Sequence, residues 1–136
     1  MKNFTTYAVV LVNIFLIMAS TTFGCFFTSG YHVHVTNQLP APELELHCAS
    51  GNNDLGNHKI VQGYDFNWEF CENFARNTLF FCHLSWTNKE VSFDVFSSGW
   101  EERCHDGQCY WEARTDGIYF TGGGRPFKKE YDWKSK

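Results

Sequence analysis

The sequence predicts an all-β fold, a small secreted disulfide-bonded β-sandwich of about eight short antiparallel strands, on three observations. Apolar residues recur with period two in short runs set roughly 8 to 12 residues apart. No segment sustains the apolar repeat of a helix. Six cysteines, an even number, all follow an apolar leader, and that combination reads as disulfides formed in an oxidising compartment rather than as metal ligands.

Residues 1–24 are read as a secretory signal peptide. Lys2 precedes an apolar run from Ala8 to Ala19, broken only by Asn13. The run is short for a transmembrane helix, and the small residues that follow suit cleavage after Gly24. The mature chain, 25–136, is 112 residues: enough for one domain with a real core, too few for two. It is expected to be extracellular and monomeric, with no membrane insertion once the leader is gone. Losing Lys2 leaves ten Lys and Arg against fifteen Asp and Glu, a net charge of −5, which disfavours nucleic acid and anionic membranes as partners. From Arg125 onward the balance reverses, with five basic residues against Glu130 and Asp132. This stretch is read as a short, solvated basic tail in preference to a polyanion site. The sequon Asn3-Phe4-Thr5 falls within the leader, so no N-glycan is expected on the mature chain.

Taken in order, residues 31–37 (YHVHVTN) put Tyr31, Val33 and Val35 on one face and His32, His34 and Thr36 on the other, as a half-buried strand does. Pro40 and Pro42 interrupt pairing. Leu44, Leu46 and Cys48 then alternate with Glu45 and His47 in a second strand. Residues 50–58 (SGNNDLGNH) are rich in turn formers and are expected to be an exposed loop, with Leu55 its one buried candidate. A short strand at 59–61 and a turn at Gln62-Gly63 lead to residues 64–70, where Phe66, Trp68 and Phe70 alternate with Asp65, Asn67 and Glu69. Residues 71–77 are a polar link carrying Phe74. The stretch 78–86 (TLFFCHLSW) reads as the central strand. Phe80, Cys82, Leu84 and Trp86 share one face, Leu79, Phe81, His83 and Ser85 the other, and its apolar character on both faces predicts cover on both sides. After a turn at 87–89, Val91, Phe93 and Val95 mark a strand over 90–97. A second long loop, 98–108, precedes strands at 109–114 and 117–121. The glycines at 122–124 are read as a flexible exit, and 127–133 as one more strand with Tyr131 and Trp133 on the same side.

Six cysteines allow fifteen pairings. Cys104 and Cys109 bracket a turn-forming run and pair locally. Cys48 and Cys82, each mid-strand on an apolar face, are the best candidates for a bridge across the core, and Cys25 and Cys71 are left to each other by elimination. On the chain-entropy model, closing the loop of about 35 residues between Cys48 and Cys82 stabilises by roughly 3 to 4 kcal/mol, and the short loop by about 2 kcal/mol.

Catalytic readings are weak. His32 and His34 share a strand face without a third ligand at a recognisable spacing. His105 beside Asp106 sits in a turn closed by cysteines, where a base is not desolvated. Asp54 and its asparagines lack the alternation and terminal glutamate of a calcium loop. No enzyme activity and no cofactor are expected. Trp100, Tyr110 and Tyr119 are the aromatics least surely buried, and a stacking platform for sugars built from them, an extracellular carbohydrate-binding module, is the rival to a protein-recognition role.

The order LHCASGNNDLG, GYDFNWEF, TLFFCHLSW and CHDGQCYWEARTDGIY resembles the plant self-incompatibility S-protein homologue family, from Val33 to about Trp133. The resemblance implies a small secreted all-β sandwich with two framework disulfides, Cys48 with Cys82 and Cys104 with Cys109; Cys25 and Cys71 lie outside that pattern. It also implies a ligand read by a plant cell-surface receptor, as in the rejection of self pollen. Recognition is expected on loops carried by a rigid sandwich: Asn52, Asn53, Asp54 and His58 in the first, and the second from Ser98 to Gln108, with Trp100, His105 and Asp106.

Overall fold

The computed structural model describes residues 24–136; the leader assigned to 1–24 lies, but for Gly24, outside them. Alternation of apolar and polar side chains builds the strands β1 (Gly30–Asn37), β2 (Leu44–Ser50), β3 (Asp54–Ile60), β4 (Asp65–Cys71), β5 (Leu79–Trp86), β6 (Lys89–Ser97), β7 (Gln108–Arg114), β8 (Gly117–Thr121), β9 (Lys128–Tyr131) and β10 (Lys134–Ser135). They form two five-stranded sheets, ordered β4-β1-β7-β8-β9 and β10-β6-β5-β2-β3. The all-β sandwich is therefore observed, with ten strands in place of about eight. One pairing departs from the antiparallel expectation. β1 runs parallel to β7, His32 opposite Gln108 and Val35 opposite Trp111, while on its other side it pairs antiparallel with β4.

The inner faces meet in an aromatic core. Trp111 is fully buried, its ring 4.9 Å from Phe93 of the opposite sheet and 4.6 Å from Phe120. Tyr31 packs 4.4 Å from Phe96, and Phe70 4.6 Å from Phe80, again across the layers. Each large apolar side chain buried this way contributes about 1.5–3 kcal/mol. A bulge adapts β6 to the core: Phe80 pairs with Phe96 and Phe81 with Asp94, so Val95 has no opposite number. Val95 and Phe96 are both fully buried, and the carbonyl of the bulged Val95 accepts a bond from Trp111 Nε1 at 3.0 Å. At the end of β1, buried Asn37 donates through Nδ2 to the Ile60 carbonyl and accepts through Oδ1 from the Leu39 amide, each at 2.9 Å.

Four expectations change on contact with this architecture. Residues 50–58 are mostly strand: β3 pairs with β2 from Leu44–Ile60 to Ala49–Asp54, with a bulge at the Gly56 end, so Asp54 and His58 are strand residues and only the tip is a turn. β5 is covered on one face alone. Phe80, Cys82 and Leu84 are buried while Leu79 and Phe81 are exposed, because a two-layer sandwich offers each sheet one neighbour. The Cys48–Cys82 disulfide joins residues directly opposite each other on β2 and β5, so it clamps two strands of one sheet instead of crossing between layers. Finally, the basic tail is built into the fold: β9 extends one sheet and β10 pairs with β6 in the other. The segment straps the two layers together.

Candidate functional site

Five connections gather at one end of the sandwich: residues 24–29 before β1, the β2–β3 turn, the β4–β5 loop, the β6–β7 loop and the β8–β9 loop. The β2–β3 turn is closed by the Ser50 amide donating to the Asn53 carbonyl at 2.7 Å. Asp54 Oδ1 accepts from the Gly56 amide at 2.9 Å and meets His47 Nε2 at 2.6 Å. The Gly56 amide first, and His47 second, hold the Asp54 carboxyl below its ordinary value. Gly56 has φ +81°, a conformation that costs glycine little.

The β4–β5 loop is organised by its asparagines and threonine. The Asn77 amide donates to Asn73 Oδ1, and the Asn73 amide to Thr78 Oγ1, each at 2.9 Å. The Cys25–Cys71 disulfide and a bond of 2.9 Å from the Glu72 amide to the Ser29 carbonyl tie it to the N-terminal segment. Toward the β6–β7 loop, Thr78 and Ser98 exchange two bonds, Ser98 N–H to Thr78 O and Thr78 N–H to Ser98 Oγ, both at 2.9 Å. Arg76 contacts Glu101 across the gap and lies 3.7 Å from the buried Glu72. These two carboxylates also act on Tyr31, whose hydroxyl is pushed upward first by burial and then by Glu101 and Glu72.

In the β6–β7 loop the Cys104 amide donates to the Trp100 carbonyl at 2.7 Å, and the Cys104–Cys109 disulfide closes a short 3₁₀ turn at His105–Gly107. Asp106 and Gly107 both have positive φ. A side chain at Gly107 would put its Cβ 2.6 Å from the Gly30 carbonyl oxygen, so the turn lies directly on the start of β1.

Of the residues singled out from sequence, Asn52 and Asn53 sit on the exposed turn, and His105 and Asp106 on the exposed tip of the β6–β7 loop, 3.4 Å apart. The structure does not bring these two groups into contact, because the β4–β5 loop stands between them. His58 lies on β3 with its ring 4.7 Å from Phe66 and Nε2 donating to the Leu55 carbonyl. Trp100 is half-buried beneath the Arg103 guanidinium at 4.5 Å, so it supports the loop from within.

Sequence reasoning missed the β4–β5 loop itself and the apolar side chains around it. Phe74 is 80% exposed, and Phe27, 85% exposed, lies 6.1 Å from it. Phe26, next to Phe27 in sequence, is also exposed. A concavity of about 690 Å³ runs between the β2–β3 turn and the β4–β5 loop, with Asn52, Asn73, Asn77, Leu79 and Phe81 in its walls. The available signal was a phenylalanine at 74 and a pair at 26–27 in stretches with no strand pattern to bury them.

The other candidates are dispersed or already engaged. His34 bonds Asp65 at 2.8 Å and Gln108 at 3.1 Å, and His32 bonds Asn67 at 2.9 Å. No group of three His, Cys, Asp or Glu side chains among the described residues has metal-holding geometry. Tyr110 stacks on His34 at 4.6 Å, while Tyr119 lies under Arg114 at 4.1 Å and donates to Asp116 at 2.6 Å. With Trp100 beneath Arg103, the three rings do not make one flat platform.

Fold and site define a class: a small β-sandwich whose connections, two of them pinned by disulfides, are gathered at one end into a firm and partly apolar surface. Comparison with known proteins names the class. The family model described as plant self-incompatibility protein S1 matches residues 32–133, and the chain belongs to that family. S-protein homolog 19 of Arabidopsis thaliana is 36% identical over 129 residues, 90% of this chain and 95% of the relative. Self-incompatibility protein S1 of Papaver rhoeas is 34% identical over 117 residues, covering 79% and 83%. A solved structure described as that of "SPH (Self-Incompatibility Protein Homologue) proteins, a widespread family of small, highly stable, secreted proteins from plants" superposes with a TM-score of 0.65 at 19% identity, over 82% of this chain and all of the other.

Proposed function

We propose that this protein is a secreted, monomeric recognition ligand, released from its leader at Gly24, that engages a plant cell-surface receptor protein through the loop end. Its family is an extracellular one, and three disulfides with no free cysteine among the described residues suit that compartment. The observation that carries the reading is where apolar surface is exposed. Of the seven exposed large hydrophobic side chains among the described residues, five are at the loop end: Phe26, Phe27, Phe74, Leu79 and Phe81. Aromatic anchors rimmed by polar groups are what protein interfaces use, and here asparagines and the Arg76–Glu101 pair supply the rim. Hydrogen bonds and disulfides hold the surface in place, so little ordering entropy is spent on binding.

The test is binding of labelled, oxidised mature protein to pollen and other living plant cells. Saturable binding that surface proteolysis abolishes and free neutral sugars leave intact is expected. The double variant Phe27→Ser, Phe74→Ser should weaken it by at least about tenfold, the loss of one or two hot spots, with an unchanged melting temperature. Saturable binding indifferent to that variant would place the contact elsewhere, and binding that neutral sugars displace would make the protein a carbohydrate module.

A further inference from the structure

The net charge of the chain is −4, yet one concavity gathers cations. It has a volume of about 450 Å³, lies beside the β8–β9 loop, and is lined by Arg103, Arg125, Lys128 and Glu130 with Phe120 and Pro126. Arg103 is held in an unusual way. Its guanidinium carbon is 4.3 Å from the Phe120 ring and 4.5 Å from the Trp100 ring, so aromatic rings pack against the group and limit its freedom. Among the described residues its buried Nε has no partner, and its one carboxylate contact is a loose one, Nη2 to Glu130 at 3.5 Å. Among the described residues, neither Arg125 nor Lys128 has a carboxylate within ion-pair distance, whereas the neighbouring Lys129 is taken by Asp132. Three cations from three segments thus face one carboxylate around a single hollow.

An arginine whose orientation is fixed by packing is pre-organised to take two oxygens of one anion along its edge, and a walled hollow focuses the local field even in a protein of opposite net charge. We propose that this concavity binds the carboxylate of a uronate sugar in an acidic extracellular polysaccharide, with Arg103 receiving the carboxylate and Arg125 and Lys128 holding neighbouring charges of the same chain. A sugar ring fits the geometry better than an acidic peptide does. Only Lys128 of the three belongs to β9, so the cations converge on one hollow beside Phe120 and Pro126 and are not strung along the open edge of that strand, where an extended peptide would pair. The site is independent of the receptor reading, which rests on apolar residues on the other side of the β6–β7 loop.

The test is calorimetric titration of the mature protein with short oligomers of galacturonic acid, of neutral galactose and of glutamic acid, and with sodium sulfate. The uronate oligomer is expected to bind, more weakly as salt rises, and the neutral oligomer not to. Arg125→Glu with Lys128→Glu, both exposed positions, should reduce uronate affinity at least tenfold without moving the melting temperature, which a purely structural role would not predict. Absence of uronate binding, or affinity unchanged in the double variant, overturns the proposal. Equal binding of the glutamate oligomer overturns its saccharide part, and equal binding of sulfate reduces the site to a general anion hollow.

Discussion

Glycine at 122 shows how a single residue can be misread. In the sequence it opens a run of three glycines and looks like chain freedom, an exit from the packed body. In the structure a Cβ at Gly122 would stand 1.8 Å from the Arg103 carbonyl oxygen and 3.2 Å from the His105 amide nitrogen, both backbone atoms. The residue is there because two main chains touch. Gly122→Ala should therefore force the β6–β7 and β8–β9 loops apart and destabilise by about 1–3 kcal/mol, the usual cost of overpacking, read as a lower midpoint in denaturant; an unchanged midpoint would mean that the close approach is not rigid. Gly124, two residues on with open space around it, is the conformational glycine the sequence suggested. Nothing in the local sequence separates the two, since the neighbour that excludes a side chain lies nineteen positions away (122 − 103).

Strands were legible where alternation was strong. β1, β4, β6, β7 and β8 lie close to where period two puts them, and their inward residues form the core or pack against it. β3 was legible only at its end, in the short strand read at 59–61, because the Gly, Asn and Asp before it have poor strand propensity and favour turns. It forms as an edge strand because β2 offers it a complete ladder and Gly56 absorbs the extra residue. The candidate site was legible in part for the same reason. Its turn residues were visible, but the β4–β5 loop takes its importance from the Cys25–Cys71 disulfide and from Ser98, partners distant in sequence. The β2–β3 hairpin also carries an acid sensitivity. Asp54 has a lowered carboxyl pKa in the folded chain, so its contribution is complete above the ordinary value of 3.8 and is lost as pH falls through the lower folded value. Hydrogen exchange at the Gly56 amide, corrected for intrinsic rate, should lose protection on acidification below about pH 4. In Asp54→Asn that protection should start lower and stay flat; an acid response that persists in the variant would assign it to another group.

Across the whole molecule, the segment read as a loose basic tail has a structural task. β9 and β10 belong to different sheets. Tyr131, the last residue of β9, packs 5.1 Å from Phe93, and Trp133, between the two strands, donates from Nε1 to the Arg114 carbonyl at 2.7 Å. Removing residues 128–136 would strip these aromatics and leave β8 and β6 as open edges. The expected result is a loss of roughly 3–5 kcal/mol, the range for deleting large core aromatics, together with concentration-dependent association through the exposed edges. Denaturant unfolding and sedimentation velocity read the two effects separately, and a truncated chain that stays monomeric with full stability would return the segment to the status of a tail.

The parallel pairing of β1 with β7 sets a schedule for assembly. His32 and Gln108 are paired though 76 residues apart (108 − 32), and β1 is flanked by β4 and β7 in the sheet. β1, the earliest of the described strands to leave the ribosome, must therefore wait for β7 before its second edge is closed. Long-range pairing of this kind belongs to domains that fold in milliseconds to seconds. During that interval the β2–β5 partnership can be locked by Cys48 and Cys82, so one oxidised pair of strands in the facing sheet stands ready before β7 closes the edge of β1.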